Sequence, residues 1–110
     1  MSDRRRGYRL TEEAGTDLKT IAAYIAMDRP SAGKRVLKAL RDSFRTLARH
    51  PRIGTVCEHL GPGMRHFSST SPAQRYVVLF RPVEVDVCVE IVAVIDSSRD
   101  WETLLGELGK

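Results

Sequence analysis

The chain lacks the features that mark disulfide-rich, metal-binding and membrane proteins. Its two cysteines, Cys57 and Cys88, are too few for a disulfide framework and do not have the spacing of metal ligands. No stretch approaches the roughly 20 apolar residues of a membrane span, and no apolar signal segment follows the basic residues 1–6. We therefore expect a cytoplasmic protein that contacts no membrane and needs no metal or other cofactor.

Motifs that carry catalytic chemistry are also missing. The sequence has no phosphate-binding glycine loop, no nucleophile elbow, no paired-carboxylate motif and no metal cluster. A lone histidine such as His66 is more often a hydrogen-bonded surface residue than a catalytic one. These absences favour a protein that acts by binding.

What is present is one domain with unevenly distributed charge. The 110 residues have the length of a single ordinary domain, predicted here over 1–110, and 42% of them are hydrophobic. Residues 1–52 carry 13 Lys and Arg against 6 Asp and Glu, whereas residues 53–110 carry 5 against 8. The basic first half can meet nucleic acid or an acidic protein, and the net charge of +4 is too small to choose between them.

Two amphipathic helices are predicted in the first half. Thr11 before two glutamates is a helix-start signal, and this helix should end near Asp28 because Arg29 precedes a proline. The second helix should run from near Ser31 to about Arg49. Its polar side carries a basic stripe formed by Lys34, Lys38, Arg41, Arg45 and Arg49. The stripe is either a solvated surface or a contact site for an acidic partner or nucleic acid.

Strands dominate the second half. Residues 64–69, 74–82 and 87–96 are predicted strands, 8–11 is a short β-like start, and 100–108 is a candidate short helix. A turn centred between Glu84 and Val85 would place an apolar set against the helices, namely Tyr76, Val78, Phe80, Val89, Ile91 and Ala93. The other face would carry Arg75, Val77, Leu79 and Arg81 opposite Cys88, Glu90, Val92 and Val94. Because large exposed apolar patches mark binding sites, we expect the terminal helix or a partner chain to cover this second face.

Segments spread over nearly the whole chain resemble the RelE/ParE superfamily of toxins from type II toxin–antitoxin modules. They are 8–11, 17–18, 47–51 with Gly54, 63–65, 76–81 and 89–100. The His-Pro-x-x-Gly segment at His50 and the two-helix start are closer to the ParE branch than to the RelE branch. One departure is Asp96, where ParE-like sequences often have a histidine.

The resemblance implies a fold, a partner and a target. The fold is α+β, with an N-terminal helical hairpin packed on a twisted antiparallel sheet of three to four strands and a short C-terminal helix. The partner is a cognate antitoxin whose C-terminal segment wraps the toxin, and DNA would be contacted only indirectly through that antitoxin. The target is DNA gyrase for ParE-type toxins and ribosome-bound mRNA for RelE-type toxins.

Candidate site residues follow from the predicted faces and the resemblance. For the antitoxin they are Val77, Leu79, Val92 and Val94 on the sheet and Lys34, Lys38, Arg41 and Arg45 on the helix. For the target they are Arg65, Arg75, Arg81 and Arg99, with Trp101 as an aromatic anchor. A nuclease would instead use His66, Arg65 and Arg81. The acidic tail after Arg99 repels phosphate, so we favour a gyrase inhibitor without catalysis; the alternatives are a RelE-like mRNA endonuclease and a non-toxic member that only binds its antitoxin.

Overall fold

In the computed structural model, which describes residues 7–83 and 89–98, two helices pack on one face of a five-stranded sheet. The elements in chain order are β1 (Tyr8–Leu10), α1 (Glu12–Asp28), α2 (Pro30–Arg49), β2 (Thr55–Val56), β3 (Arg65–Ser68), β4 (Tyr76–Pro82) and β5 (Val89–Asp96). A turn of 3-10 helix, Glu58–Leu60, lies between β2 and β3. The α+β class and the helical hairpin are as predicted, while the candidate helix over 100–108 lies outside the described residues.

Local signals fix the ends of both helices. The Thr11 hydroxyl accepts a hydrogen bond from the Ala14 amide at 3.0 Å, which caps the start of α1. Arg29 is extended, with φ −143°, because the following Pro30 excludes it from the helical region. Pro30 then begins α2, in a position where a missing N–H costs nothing. Neither α1 nor α2 is long and apolar enough to cross a membrane, and these are the two α-helices of the described residues.

The sheet has the order β1-β5-β4-β3-β2, and its first strand runs in an unexpected direction. β1 pairs with β5 in parallel, with Tyr8 opposite Val89, whereas the other neighbours are antiparallel. The prediction of three to four antiparallel strands is therefore wrong in number and in one direction. The edge strands β1 and β2 have three and two residues, which is too few for a periodic pattern. The sequence of so short a strand also does not indicate whether it pairs in parallel or antiparallel.

The pairing of β4 with β5 contains a bulge that the sequence did not predict. Leu79 lies opposite Ala93, but Phe80 lies opposite Ile91, so Val92 is an extra residue in β5. The bulge exchanges the two neighbouring positions: Ala93 lies on the second face and Val94 in the core beneath the helices, the reverse of the prediction. The assumed turn is also wrong, because it would pair Phe80 with Val89, and Pro82 pairs there instead.

Side chains of α1 and its cap hold the backbone of this bulge. The Thr11 hydroxyl donates to the Val92 carbonyl at 2.8 Å, and the Thr11 amide donates to the Ile91 carbonyl at 3.0 Å. The Asp17 carboxylate accepts from the Val94 amide at 2.9 Å. The Thr11 amide continues the parallel β1–β5 ladder beyond Leu10, and the other two contacts satisfy backbone groups of β5 at and beside the bulge.

Two apolar clusters sandwich the sheet. The larger lies between sheet and helices, and its fully buried members include Leu40, Phe44, Leu47, Val78, Phe80, Val89 and Ile91. The smaller lies on the second face, where Cys57 and Met64 cover Leu79 and Ala93. The centre of this face is buried, and the terminal helix expected to cover part of it lies outside the described residues. Cys57 belongs to this cluster although it lies in a segment for which the sequence predicted no helix or strand.

Candidate functional site

A row of three charged residues crosses β1, β5 and β4 on the second face of the sheet. The helix-side cluster contains Phe80 and Ile91, and side chains alternate along a strand, so Arg81 and Glu90 lie on the opposite face. Arg9 and Arg81 both lie directly opposite Glu90 in the strand register. We call Arg9, Glu90 and Arg81 the Arg–Glu–Arg clip.

Each arginine of the clip binds a different oxygen of the same carboxylate. Arg81 contacts Glu90 Oε1 through Nη2 at 2.7 Å and Nε at 2.9 Å. Arg9 contacts Oε2 through Nη2 at 3.0 Å and Nε at 3.2 Å. The Glu90 side chain is 12% exposed, against 56% for Arg9 and 45% for Arg81. Arg81 and Glu90 form a directly cross-strand pair, whereas the turn assumed from the sequence would have placed them diagonally.

The clip keeps its carboxylate ionised. Burial raises the pKa of Glu90, but the hydrogen bonds and charges of Arg81 and Arg9 outweigh burial and leave the pKa below its usual value. At neutral pH the three side chains therefore carry one positive charge in excess. The contact of Arg9 with Glu90 was not predicted from the sequence, because no local pattern connects residues that lie 81 positions apart.

A second ion pair closes the other end of the β4–β5 pair. Arg75 Nη2 lies 2.7 Å from Asp96 Oδ2, and the backbone and hydroxyl of Ser98 donate to Oδ1. Burial raises the pKa of Asp96, but the bonds from Ser98 and Arg75 outweigh burial and lower it. Asp96, the departure from the ParE-like pattern, is thus engaged within the chain and orients the half-exposed guanidinium of Arg75.

The three residues that a nuclease would use do not share one face. Arg65 lies opposite Phe80, a helix-side residue, and its guanidinium donates to the carbonyls of Arg52 at 2.6 Å and Ile53 at 3.1 Å. His66 lies opposite Leu79, and with Arg81 it belongs to the second face. Arg65 therefore anchors the chain after α2, and the sheet separates it from the other two residues.

The basic stripe of α2 is exposed along its length. Lys34, Lys38, Arg41, Arg45 and Arg49 are all exposed. Asp42 pairs with Lys38 at 3.1 Å and with Arg45 at 2.9 Å, and the bond from Lys38 lowers the pKa of Asp42. The stripe is thus exposed and has one acid in its middle. Within residues 7–83 and 89–98, no group of three or more His, Cys, Asp or Glu is placed to hold a metal ion.

Comparison with known proteins gives one clear family. The family model for the ParE toxin of the type II toxin–antitoxin system, parDE, matches residues 8–101. The chain belongs to the ParE toxin family. The predicted superfamily and its ParE branch are therefore confirmed, and the chain is a toxin of the type II class.

A solved structure shares the fold of this ParE-family toxin. The chromosomal ParDE TA system from P. aeruginosa contains a chain that matches with a TM-score of 0.65 at 18% identity, covering 82% of this chain and 94% of that chain. At that identity the likeness shows the fold alone. Among curated proteins, no sequence matches this ParE-family toxin.

The candidate residues of this ParE-family toxin fall into three groups. Arg75 and Arg81 are exposed and oriented by carboxylates. Three of the apolar candidates, Val77, Leu79 and Val94, are buried by the chain itself, whereas Val92 is half-buried on the second face. Arg99 and Trp101 lie outside the described residues.

Proposed function

We propose that this ParE-family toxin inhibits DNA gyrase or a related topoisomerase by binding it, without catalysis, and that a cognate antitoxin neutralises it. The observation that supports binding over RNA cleavage is the separation of Arg65 from Arg81 and His66 by the sheet. A nuclease needs its phosphate-binding cations and its proton-transfer groups around one reacting phosphate. Growth inhibition in the cytoplasm and stabilisation of a plasmid that carries the module are the expected consequences.

The target contacts belong to the arginines at the rim of the sheet. Arg65, Arg75, Arg81 and Arg99, with Trp101, are the proposed set. Arginine suits bidentate contact with carboxylates, and Arg and Trp are enriched at binding hot spots. Arg75 and Arg81 support this proposal best, because a carboxylate already orients each exposed guanidinium and less side-chain entropy is lost on binding.

The antitoxin contacts belong to the basic stripe and to the half-buried part of the second face. Lys34, Lys38, Arg41 and Arg45 offer an exposed cationic surface to an acidic segment. Beside the smaller apolar cluster, Val92 is the accessible member of the proposed apolar set, since Val77, Leu79 and Val94 are buried. DNA would be reached only through the antitoxin.

The deciding experiment is expression of the chain with and without the product of the adjacent upstream reading frame. Alone, the chain should arrest growth with DNA damage and filamentation while mRNA stays intact, and the purified chain should inhibit supercoiling by gyrase. Co-expression should restore growth. Cleavage of ribosome-bound transcripts, mapped by primer extension, would favour the RelE-like alternative. Antitoxin binding without growth arrest would favour a non-toxic member.

A further inference from the structure

We propose that the Arg–Glu–Arg clip is one binding site, and that it takes a carboxylate group of the protein target. This assigns Arg9 and Glu90 to target binding alongside Arg81, and it names the chemistry that the site recognises. The proposal rests on the proposed function in one respect only, namely that the chain acts by binding a protein. Three strands contribute one residue each, so the site exists only in the folded sheet.

The geometry leaves one edge of each guanidinium turned away from Glu90. Both arginines contact the carboxylate through Nε and Nη2. Arginine has five N–H donors in a rigid planar fork, so the Nη1 edge of each fork stays outside these contacts. Because Arg9 binds Oε2 and Arg81 binds Oε1, the two exposed forks flank one fixed carboxylate. A further carboxylate bound at an exposed guanidinium edge would complete the charge balance of the clip.

Stability alone needs only one of these arginines. One arginine already neutralises the charge of Glu90. The second arginine adds its own contacts to Oε2, but it also brings two like charges together. Binding explains the excess, because an anion at an exposed guanidinium edge offsets the repulsion between the two arginines and finds donors whose rotamers are already held.

The surroundings favour a protein carboxylate over a nucleic acid. Affinity for nucleic acid grows with the number of phosphates neutralised, and the clip offers a single excess charge. Arg75, the other half-exposed arginine of the described β4–β5 region, is paired with Asp96. Val92 and Ile95 are half-buried beside the smaller apolar cluster on the same face. A cationic clip next to an apolar patch matches an acidic side chain on a protein surface.

The site can be tested directly on the purified full chain. The Nε–H protons of Arg9 and Arg81 are held by Glu90, so their nitrogen-15 NMR signals report on the clip. We titrate the chain with short poly-L-glutamate and, separately, with single-stranded oligo-dT. Poly-L-glutamate should shift both signals together and saturate. Oligo-dT should leave both unchanged, although it can bind the basic stripe elsewhere. If oligo-dT shifts the clip signals and poly-L-glutamate does not, the carboxylate assignment is overturned in favour of a phosphate site.

Variants then connect the clip to toxicity. Arg9→Ala and Arg81→Ala should each weaken growth inhibition by about tenfold or more, as expected for a hot spot. A variant that carries both Arg9→Lys and Arg81→Lys keeps the two positive charges but loses the planar guanidinium groups. It should therefore not restore growth inhibition. Arg35→Ala, which removes an exposed arginine of α2, is the matched control and should inhibit as the wild type does.

The outcomes separate this proposal from the proposed function. Full toxicity of Arg9→Ala, or a loss of toxicity that only follows a lower melting temperature, would mean that the clip is a structural ion pair. If wild-type chain fails to inhibit gyrase, the proposed target is wrong, while the NMR titration and the growth assay still decide the clip. If the variants lose antitoxin binding and keep toxicity, the carboxylate belongs to the antitoxin and our assignment to the target fails.

Discussion

At the residue scale, Asp17 connects the first helix to the bulge of the last strand. Its carboxylate accepts from the Val94 amide, which lowers its pKa, but burial and the nearby charge of Glu13 raise the pKa and outweigh this bond. Asp17 therefore stabilises the fold through its acceptor oxygen, whereas its negative charge destabilises the fold. This separates two properties of one side chain that substitution can test.

Asp17→Ala should destabilise the domain, whereas Asp17→Asn should not. Alanine leaves the Val94 amide without its acceptor, which costs about 1–3 kcal/mol. Asparagine keeps a carbonyl oxygen there and removes the half-buried charge. Urea unfolding followed by circular dichroism measures both changes, and Glu12→Ala, which removes an exposed acid in the first turn of α1, is the control. Equal destabilisation by Ala and Asn would mean that the negative charge, and not the acceptor, holds the bulge.

Glu90 and Asp17 should change the pH dependence of stability in opposite directions. The pKa of Glu90 in the folded chain lies below its ordinary 4.5, so its stabilisation is present above that value and lost as the pH falls through the lowered pKa. The pKa of Asp17 lies above its ordinary 3.8, so its contribution to stability falls as the pH rises through that range. Glu90→Gln should flatten the loss of stability between neutral and acid pH, and Asp17→Asn should steepen it.

Urea midpoints measured across this pH range test the prediction. Glu58→Gln, which changes an exposed carboxylate of the 3-10 turn, is the control and should leave the slope as it is. If Glu90→Gln leaves the slope of stability against pH unchanged, the two arginines do not stabilise the ionised carboxylate in solution.

At the scale of elements, the sequence predicted what adjacent residues decide. The hydroxyl cap at Thr11 and the proline at position 30 fix the helix ends within one residue of the prediction. The parallel direction of β1, the extra residue at Val92 and the cover supplied by Cys57 depend on contacts between distant segments. The same limit applies to the site, because Arg81 and Glu90 were recognised on one hairpin while Arg9 arrives from the other end of the chain.

Glycines in two elements should respond to alanine with opposite signs. Gly54, just before β2, has φ +88°, and a Cβ there would collide with the carbonyl oxygen of His66. Gly54→Ala should cost at least about 1–3 kcal/mol from backbone strain alone. Gly15 lies within α1 with open space around its Cα, so Gly15→Ala should stabilise by about 0.5–1 kcal/mol. Thermal melting of the two variants compares them directly; a neutral Gly54→Ala would mean that the segment before β2 can move away from β3.

At the scale of the whole molecule, the smaller apolar cluster limits which part of the second face a partner can reach. Leu79 is 1% exposed beneath Cys57 and Met64, so Leu79→Asp buries a charge and should unfold the domain. Val92 is half-buried, so Val92→Asp should fold and lose co-purification with the antitoxin. Val56→Asp, at an exposed apolar position on the edge strand β2, is the control and should keep the complex. A folded Val92→Asp that still co-purifies removes the bulge from the antitoxin interface.

The parallel pairing of β1 with β5 also sets when a newly made chain becomes competent. Tyr8 leaves the ribosome long before Val89, its partner in the sheet. Glu90 is made 81 residues after Arg9. At the usual translation rate of 5–20 residues per second, this takes about 4–16 s. During that interval β1 has no neighbour, the Thr11 side chain lacks its carbonyl partner in β5, and the two arginines of the clip share no carboxylate. A chain released before Val89 therefore lacks β5 and cannot form the clip.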